Sequence, residues 1–277
     1  MRVLHKFGFD IVRGCQLRCV GCPISTLKPK IEFIEPGDFL KILHNVDVDK
    51  VELLRLFNFG EPLLHPQVVH LTKLIKQAPW KAKEIEISTN AQVLRKDDLK
   101  ALVRDRIITR IAVSCDGNGT PEEYERWRTP AKWDKLVEFL HYVGHLRRKY
   151  NHRLELVTRT ICTTHNGKRR WKKLVKPLGW EPLFRGKWEL PEAKEYEKPR
   201  KIPAGKCLFV EKRKGRRLYV DIDGTVVPCC QHPRALVLGN LLETTYVQMR
   251  KSQSYKDEVN RLNSRHDVPI CNGCDRP

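Results

Sequence analysis

Three closely spaced cysteines decide the fold of this chain, and they lie in the stretch Arg13-Gly14-Cys15-Gln16-Leu17-Arg18-Cys19-Val20-Gly21-Cys22-Pro23. Their spacing is C-x3-C-x2-C, and they follow an apolar run that predicts a β-strand. Thiols this close in sequence can converge on one inorganic centre. A zinc site would need a fourth ligand nearby, which the sequence does not offer. A cubane iron–sulfur cluster held by three cysteines keeps one iron free for another ligand.

The composition describes a folded protein without membrane segments. Hydrophobic residues make up 40% of the 277 residues, and the mean hydropathy is −0.50. No apolar run approaches the ~18 residues that span a bilayer, and the first residues contain no apolar signal segment. We therefore expect a cytoplasmic protein that does not bind a membrane. In a reducing cytosol its ten cysteines indicate metal or catalytic chemistry rather than disulfides.

Positive charge is concentrated in the second half of the chain. Residues 1–138 contain 23 Lys and Arg and 19 Asp and Glu, whereas residues 139–277 contain 30 and 14. A merely thermostable surface would raise Glu and Lys together. The formal net charge of +20 therefore favours a polyanionic partner.

Apolar, β-rich runs alternate with helical patterns over the first two thirds of the chain. The candidate strands are Phe7–Val12, Val51–Phe57, Glu84–Ser88, Arg110–Ser114, Leu154–Thr160 and Glu181–Phe184. The candidate helices are Pro36–His44, Pro66–Gln77, Lys96–Val103, Lys132–Tyr150 and Lys168–Lys176. The alternation predicts an α/β fold with a parallel sheet, in the form of a partial barrel, whose ligands gather at the C-terminal ends of the strands.

The alternation stops after the sixth strand. We predict one domain over residues 1–186, a linker rich in Lys, Glu and Pro over residues 187–204, and a small second domain over residues 205–277. In the second domain, Asp223-Gly224 predicts the turn of a β-hairpin, and a helix follows it.

Three further motifs follow predicted strands at the ends where ligands are expected. They are Gly60-Glu61-Pro62, Ser88-Thr89-Asn90 and Ser114-Cys115-Asp116-Gly117, and Arg159 lies late in the fifth strand. By strand alternation Ser114 and Asp116 share one face, while Cys115 packs on the other. Together with the cysteine spacing, these motifs resemble the radical S-adenosylmethionine (radical SAM) superfamily over roughly residues 7–185.

The resemblance implies a partial (β/α)6 TIM-like barrel and a catalytic [4Fe–4S] cluster whose open iron binds S-adenosylmethionine. In that superfamily an electron from a donor such as a flavodoxin or ferredoxin leads to a 5'-deoxyadenosyl radical, which abstracts hydrogen from the substrate. The implied cluster ligands are Cys15, Cys19 and Cys22. The implied contacts with S-adenosylmethionine are Gly60, Glu61, Ser88, Asn90, Ser114, Asp116 and Arg159.

Some alternatives stay open within this resemblance. Arg159 would pair with the cofactor carboxylate, form a structural ion pair or contact the substrate. Gly21 stands where the superfamily often has an aromatic residue near the adenine, so Phe7 and Phe9 become candidates for that contact. A zinc knuckle or a set of redox-sensing thiols is the alternative for the three cysteines.

Five cysteines near the C-terminus form a second group. Four of them follow the pattern C-x16-G-x4-C … C-x2-C and are Cys207, Cys229, Cys271 and Cys274. The pattern resembles the twitch domain, a shorter relative of the SPASM auxiliary-cluster domain, and implies a second, auxiliary [4Fe–4S] cluster. A four-thiolate zinc site stays open, because spacing alone does not separate the two. Cys230 is left over, either as a packed thiol or as a ligand in place of Cys229.

Basic clusters with tryptophans among them suit phosphate contacts and base stacking. The clusters are residues 147–149, 168–173, 198–201 and 212–217, and the tryptophans are Trp171, Trp180 and Trp188. We therefore expect an enzyme that modifies or rearranges a base of DNA or RNA, including one that already carries a substituent. Isomerisation, carbon–carbon bond formation and oxidation stay open as reactions. The competing interpretations are a ribosomal-peptide maturase, a small-molecule dehydrogenase of the twitch type and a nucleic-acid-binding zinc protein.

Overall fold

The computed structural model describes residues 1–186, 207, 216–233, 235–263, 267–272 and 274. Strands and helices alternate along most of this length. The strands are β1 (Val3–Leu4), β2 (Lys6–Phe9), β3 (Val12–Arg13), β4 (Glu32–Phe33), β5 (Lys50–Arg55), β6 (Lys81–Thr89), β7 (Arg110–Ser114), β8 (Glu155–Ile161), β9 (Glu181–Arg185), β10 (Arg217–Val220), β11 (Thr225–Val227) and β12 (Gly239–Asn240). The α-helices are α1 (Pro23–Leu27), α2 (Pro36–Asn45), α3 (Val68–Leu74), α4 (Lys96–Arg104), α5 (Pro121–Trp127), α6 (Trp133–Tyr150), α7 (His165–Val175), α8 (Tyr246–Lys251), α9 (Gln253–Arg261) and α10 (Pro269–Asn272).

One large sheet organises the molecule. Its strand order is β12-β11-β10-β2-β5-β6-β7-β8-β9, and β1 also pairs with β5. From β10 to β9 every neighbouring pair is parallel, whereas β10, β11 and β12 pair antiparallel. The predicted α/β class with a parallel-dominated sheet is therefore confirmed. Among the described strands the sheet is open, with β9 at one edge and β12 at the other.

Side-chain alternation gives the sheet two different faces. Leu54, Ile87 and Ile111 lie in the hydrophobic core with the apolar stripes of the helices. The neighbouring positions in the same strands, such as Arg55 and Glu86, point to the opposite, inner face, because successive residues of a strand alternate. The helices thus cover an apolar outer layer, and charged side chains line the inside.

Two helices of the first 186 residues are absent from the sequence prediction. They are α1 and α5, which are only 5 and 7 residues long. Local signals for α5 are present, since Thr120 caps it through the Glu123 amide and Pro121 occupies its first turn. Its apolar stripe is too short to show a helical period, because Tyr124 is its only buried residue. No helix in the described ranges is both long and apolar enough to cross a membrane.

The C-terminal segment extends the large sheet. Strand β10 lies parallel to β2, with Tyr219 opposite Gly8, and the predicted hairpin joins β10 to β11. Gly224 in the turn has φ +80°, and a Cβ there would lie 2.4 Å from Asn240 Oδ1. The predicted linker, residues 187–204, lies outside the described residues. The division into domains stays a prediction.

Candidate active site

The loop with the first three cysteines is held against the end of α5. The amide of Arg18 donates to the Thr129 carbonyl at 2.6 Å, and the amide of Val20 donates to the Trp127 carbonyl at 2.9 Å. Cys22 is the N-cap residue of α1. The loop backbone is thus tied to the end of a helix more than 100 residues away in sequence.

The three thiols share one electrostatic environment. Burial raises the pKa of Cys15 to about 11 and that of Cys19 to about 12, and it also raises the pKa of Cys22. The guanidinium of Arg128 acts in the opposite direction on all three pKa values. Arg128 is buried, and its Nε has no hydrogen-bond partner among the described residues. Such a buried cation suits thiolate ligands, so the three cysteines fit an iron–sulfur cluster.

A single metal ion fits this region less directly. Among the described residues, no three His, Cys, Asp or Glu side chains are arranged to hold one ion. Three cysteines of a cubane each bind a different iron and need not meet at one point.

Glu61 joins the loops that follow two neighbouring strands. Its Oε1 accepts hydrogen bonds from the Thr89 hydroxyl at 2.7 Å and the Leu63 amide at 3.1 Å, and its Oε2 accepts one from the Asn90 amide at 2.7 Å. The carboxylate is buried, and desolvation raises its pKa. Glu61 therefore orders the residues around the predicted cofactor contact Asn90.

Gly60 and Asp10 fix the position of the loop that follows β5 and carries Glu61. A Cβ on Gly60 would lie 1.7 Å from the Val12 carbonyl oxygen, so only glycine fits there. The carboxylate of Asp10 accepts hydrogen bonds from the amides of Asn58, Phe59 and Gly60 at 2.7 to 3.0 Å. Burial, and next the charge of Asp221, raise the pKa of Asp10 to about 7. Sequence reasoning missed Asp10, although an acid inside the apolar run of the first strand was a visible signal.

Asn90 lies directly beside the cysteine loop. Its Nδ2 donates to Cys15 Sγ at 3.4 Å and to Gln16 Oε1 at 3.2 Å. Ser88, two residues earlier on the same face of β6, is also buried. The structure therefore brings Asn90, Glu61 and the first cysteine together, as expected for parts of one site.

Asp116 connects the ends of β7 and β8. Its Oδ1 accepts a hydrogen bond from the Ile161 amide at 2.8 Å, and its Oδ2 accepts one from Arg128 Nη1 at 2.6 Å. Ser114 is partly exposed at the end of β7. Cys115 is fully buried beside the Thr160 hydroxyl, in agreement with the predicted packing role. Asp116 thus links the strand ends to the same arginine that faces the thiols.

Arg159 forms an ion pair in this structure. Its Nη2 lies 2.6 Å from Glu86 Oε2, and Arg55 Nε lies 3.0 Å from Glu86 Oε1. Three roles are open for Arg159 from the sequence, and the structure shows one of them, the structural ion pair. Glu86 lies four residues before Asn90 on β6, so this pair sits deeper inside the sheet than the cysteine loop. A contact with the cofactor carboxylate stays a prediction.

The proposed aromatic contacts are wrong for four side chains, because all four are core residues. Phe7 and Phe9 are fully buried and stacked, so they are not available to an adenine. Trp171 and Trp180 are also buried, and their indole N–H groups donate to the carbonyls of Gly117 and Leu140. Trp188 and the basic clusters 198–201 and 212–215 lie outside the described residues. Gly21 has φ +72°, which explains a glycine in place of an aromatic residue.

The C-terminal cysteines have an apolar environment. Cys229 and Cys271 are buried, and Cys207 packs against the same cluster. The cluster also contains Ala235, Leu262 and Val268. Burial raises the pKa of Cys229, and the neighbouring thiols of Cys230 and Cys207 raise it further.

The remaining two cysteines of this group lie at its edges. The amide of Cys274 donates to the Cys271 carbonyl at 3.1 Å, which brings the fourth predicted ligand next to the third. Cys230 turns away from the apolar cluster toward the hydroxyl of Tyr219 on the inner face. This arrangement favours Cys229 over Cys230 as a ligand.

Comparison with known proteins gives a consistent result. The chain matches the radical SAM superfamily over residues 9–161 and an iron–sulfur cluster-binding domain, SPASM, over residues 207–275. A GTP 3',8-cyclase from Chlorobaculum tepidum is 29% identical over 105 residues, which are 37% of this chain and 30% of that protein. The matched segment therefore spans less than a third of that relative.

Two solved structures have a similar fold. BtrN in complex with AdoMet and 2-DOIA has a TM-score of 0.60 and 15% identity, over 99% of this chain and 93% of that chain. Native anSMEcpe with bound AdoMet has a TM-score of 0.64 and 14% identity, over 99% and 88%. At such identities the likeness shows the fold alone.

Proposed function

This chain belongs to the radical SAM superfamily and carries a C-terminal iron–sulfur cluster-binding domain, and on that premise we propose that it modifies a base of DNA or RNA. Enzymes of this superfamily use a [4Fe–4S] cluster and S-adenosylmethionine to form a 5'-deoxyadenosyl radical, which abstracts hydrogen from the substrate. The reaction would then be an isomerisation, a carbon–carbon bond formation or an oxidation of the base, including one that already carries a substituent.

The chain's own residues divide the work at the catalytic centre. Cys15, Cys19 and Cys22 would hold the cluster, and the buried charge of Arg128 would balance their thiolates. Glu61 and Asn90 would receive the polar groups of S-adenosylmethionine. Ser114 and Asp116 would orient its ribose from the end of β7.

The C-terminal cysteines would hold the auxiliary cluster. Cys207, Cys229, Cys271 and Cys274 supply four thiols, which is a complete ligand set for a [4Fe–4S] cluster. Water is excluded around Cys229 and Cys271 by apolar side chains.

The observation that carries the proposal is the charge on α7. This helix contains five Lys or Arg residues and no acid. Four of them are exposed and form no ion pair with the described parts of the chain, and we call Arg169, Arg170, Lys172 and Lys173 the outer basic face. The helix begins four residues after Ile161, whose amide binds Asp116, so the N-terminal end of α7 lies close to the candidate site. Phosphates on this face would position a strand at the site without reading its sequence.

The geometry also sets a condition on the substrate. The thiols, Glu61 and Asn90 lie at the inner, C-terminal ends of parallel strands. A base inside a duplex cannot reach such a position, so the target would be single-stranded or turned out of the helix. Preference for single strands or mismatched duplexes over perfect duplexes is therefore expected.

The proposal is tested by oligonucleotide binding to the reconstituted enzyme across a salt series. In the variant R169Q/K172Q/K173Q, three phosphate contacts are lost, so the slope of log affinity against log salt should fall by about 2 to 3. The matched control K41Q/K76Q/K100Q removes the same charge from exposed positions on other helices. An equal loss in both variants, or no binding of the unaltered enzyme at low salt, would sink the proposal.

A free nucleotide is the second candidate substrate. The partial relative is named for GTP, which combines a base with phosphates. In this case 5'-deoxyadenosine would form with a mononucleotide, and oligonucleotide binding would be unaffected by the outer basic face.

A further inference from the structure

The inner face of the sheet carries a group of buried charges to which the proposed function assigns no substrate role. We call Lys6, Arg55, Glu86 and Arg159 the inner wall. Register places Gly8, Arg55 and Glu86 side by side on neighbouring strands β2, β5 and β6. The side chains of Arg55 and Arg159 remain 21% and 17% exposed, and the apolar core occupies the other face of these strands.

Positive charge exceeds negative charge on the inner wall. Arg110, at its lower edge, is neutralised by Glu84 at 2.9 Å and Glu155 at 2.7 Å. Arg55 and Arg159 share the single carboxylate of Glu86, which is fully buried and also lies 3.3 Å from Arg110 Nη1. The inner wall therefore holds a net charge of about +2 in a partly desolvated place, which is costly without an anion.

Two further observations show that the hydrogen-bonding capacity of these cations is only partly used. Nε of Arg159 is buried and has no hydrogen-bond partner among the described residues, and Nε of Arg55 lies 3.0 Å from Glu86 Oε1 without a well-directed hydrogen bond. Lys6 makes no ion pair with the described residues, and its Nζ lies 5.0 Å from the Tyr219 ring centre. Burial lowers the pKa of Lys6 to about 8, as expected for a cation with too little negative charge nearby.

We propose that the inner wall binds a phosphate monoester carried by the part of the substrate that enters the barrel. The dianion of a monoester matches the excess charge of the inner wall, whereas a backbone diester carries one charge. Arginine is suited to phosphate because its planar fork donates paired hydrogen bonds. The group comes either from a free nucleoside 5'-monophosphate or from the 5'-terminal phosphate of an oligonucleotide.

The distance along β6 agrees with this assignment. Glu86 and Asn90 are four residues apart, which is about 13 Å along a strand. A phosphate on the inner wall and a substrate group near Asn90 would thus be separated by about the length of one nucleotide. This inference deepens the proposed function and rests on it for the nucleotide nature of the substrate.

The test measures binding to the anaerobically reconstituted holoenzyme by calorimetry. The probes are inorganic phosphate, the four common ribonucleosides and deoxyribonucleosides with and without a 5'-phosphate, and oligonucleotides with and without one. We expect a 5'-phosphate to strengthen binding at least about tenfold in one nucleotide series. R55Q should remove this gain, while R169Q/K172Q/K173Q should leave it intact.

A second variant predicts an effect of opposite sign. E86Q removes the only carboxylate of the inner wall, so phosphate should bind more tightly than to the unaltered enzyme. A purely structural role of this ion-pair group would instead weaken binding in both R55Q and E86Q. The unfolding midpoint of each variant shows whether it is folded.

The outcomes separate this inference from the proposed function. The inference is overturned if a 5'-phosphate gives no gain with any probe, or if R55Q loses no more than R169Q/K172Q/K173Q. If R55Q removes the gain from a 5'-phosphate while R169Q/K172Q/K173Q leaves oligonucleotide affinity unchanged, the proposed nucleic-acid function fails and the phosphate site remains. If only the oligonucleotide arm with a 5'-phosphate responds, the phosphate source is a strand end.

Discussion

The two groups of cysteines differ in what surrounds them. The thiols of the N-terminal loop face polar groups, since the Asn90 amide donates to Cys15 and Arg128 is buried close by. The polar groups near Cys229 are backbone amides. Cys229 and Cys271 pack with the apolar side chains of Ala235, Leu262 and Val268. Polar side chains directed at a metal site can receive a polar ligand that comes and goes. Apolar packing disfavours such a ligand, so the difference predicts cofactor exchange at the first centre and a closed cluster at the second.

The largest effect is expected from removing one ligand of the N-terminal centre. In Cys15→Ala, the catalytic cluster should be lost, so formation of 5'-deoxyadenosine should fall below detection. About half of the iron should remain, because the auxiliary cluster is independent. The control Cys115→Ala removes a core thiol that touches no cluster, and it should keep all its iron. Undiminished 5'-deoxyadenosine in Cys15→Ala would contradict the comparison.

Gly60→Ala should have the next largest effect. The new Cβ would overlap the Val12 carbonyl, so the loop that carries Glu61 must move, at a cost of about 3 kcal/mol in unfolding free energy. Binding of S-adenosylmethionine should weaken at least tenfold. Gly37→Ala is the matched control, since its Cβ meets nothing within 4 Å and helix α2 should gain about 0.5 to 1 kcal/mol. Denaturant unfolding and calorimetric binding measure both changes.

Variants of the two adjacent cysteines, Cys229 and Cys230, test which of them binds the C-terminal cluster. Cys229→Ala should lose about half of the iron and of the absorption near 400 nm, because Cys229 lies in the apolar cluster. Cys230→Ala should keep both, because its thiol points to Tyr219. Iron and sulfide analysis of the two variants decides the matter, and the reverse pattern would make Cys230 the ligand.

The smallest effect is a change in pH dependence through Asp10. Its folded pKa of about 7 lies above the unfolded value of about 3.9, so the folded state binds the extra proton between these values. The unfolding free energy should therefore fall as pH rises from 5 to 7, by about 2 kcal/mol more than in Asp10→Asn. Equal slopes for the two proteins in urea unfolding would show that Asp10 stays ionised.

The sequence predicted those parts of the fold and of the site whose signals come from residues close together in the chain. All six strands of the barrel and five of its helices follow from apolar period and turn residues. Glu61 and Asn90 were expected because their motifs follow predicted strands and resemble the motifs of the radical SAM superfamily. Asp10, Arg128 and Glu86 were missed, although each is a buried charge of the site.

The reason is that a buried charge is defined by its partners. Arg128 faces Asp116 and the loop around Cys19, about 110 residues earlier in the chain. Glu86 is stabilised as a buried carboxylate by ion pairs with Arg55 on β5 and Arg159 on β8. No local pattern reports such contacts. The same holds for Trp171, whose basic neighbours indicated an exposed face while its own ring lies in the core.

By itself, the sequence determined the cysteine spacings, the strand and helix alternation and the excess of positive charge, because each is a property of neighbouring residues or of composition. Only the tertiary structure decided that β10 joins β2, that Cys229 and Cys230 have different surroundings, and that Arg55, Arg110 and Arg159 share Glu86 inside the sheet. Those features depend on which distant strands become neighbours, and packing between segments far apart in sequence, rather than local periodicity, sets that choice.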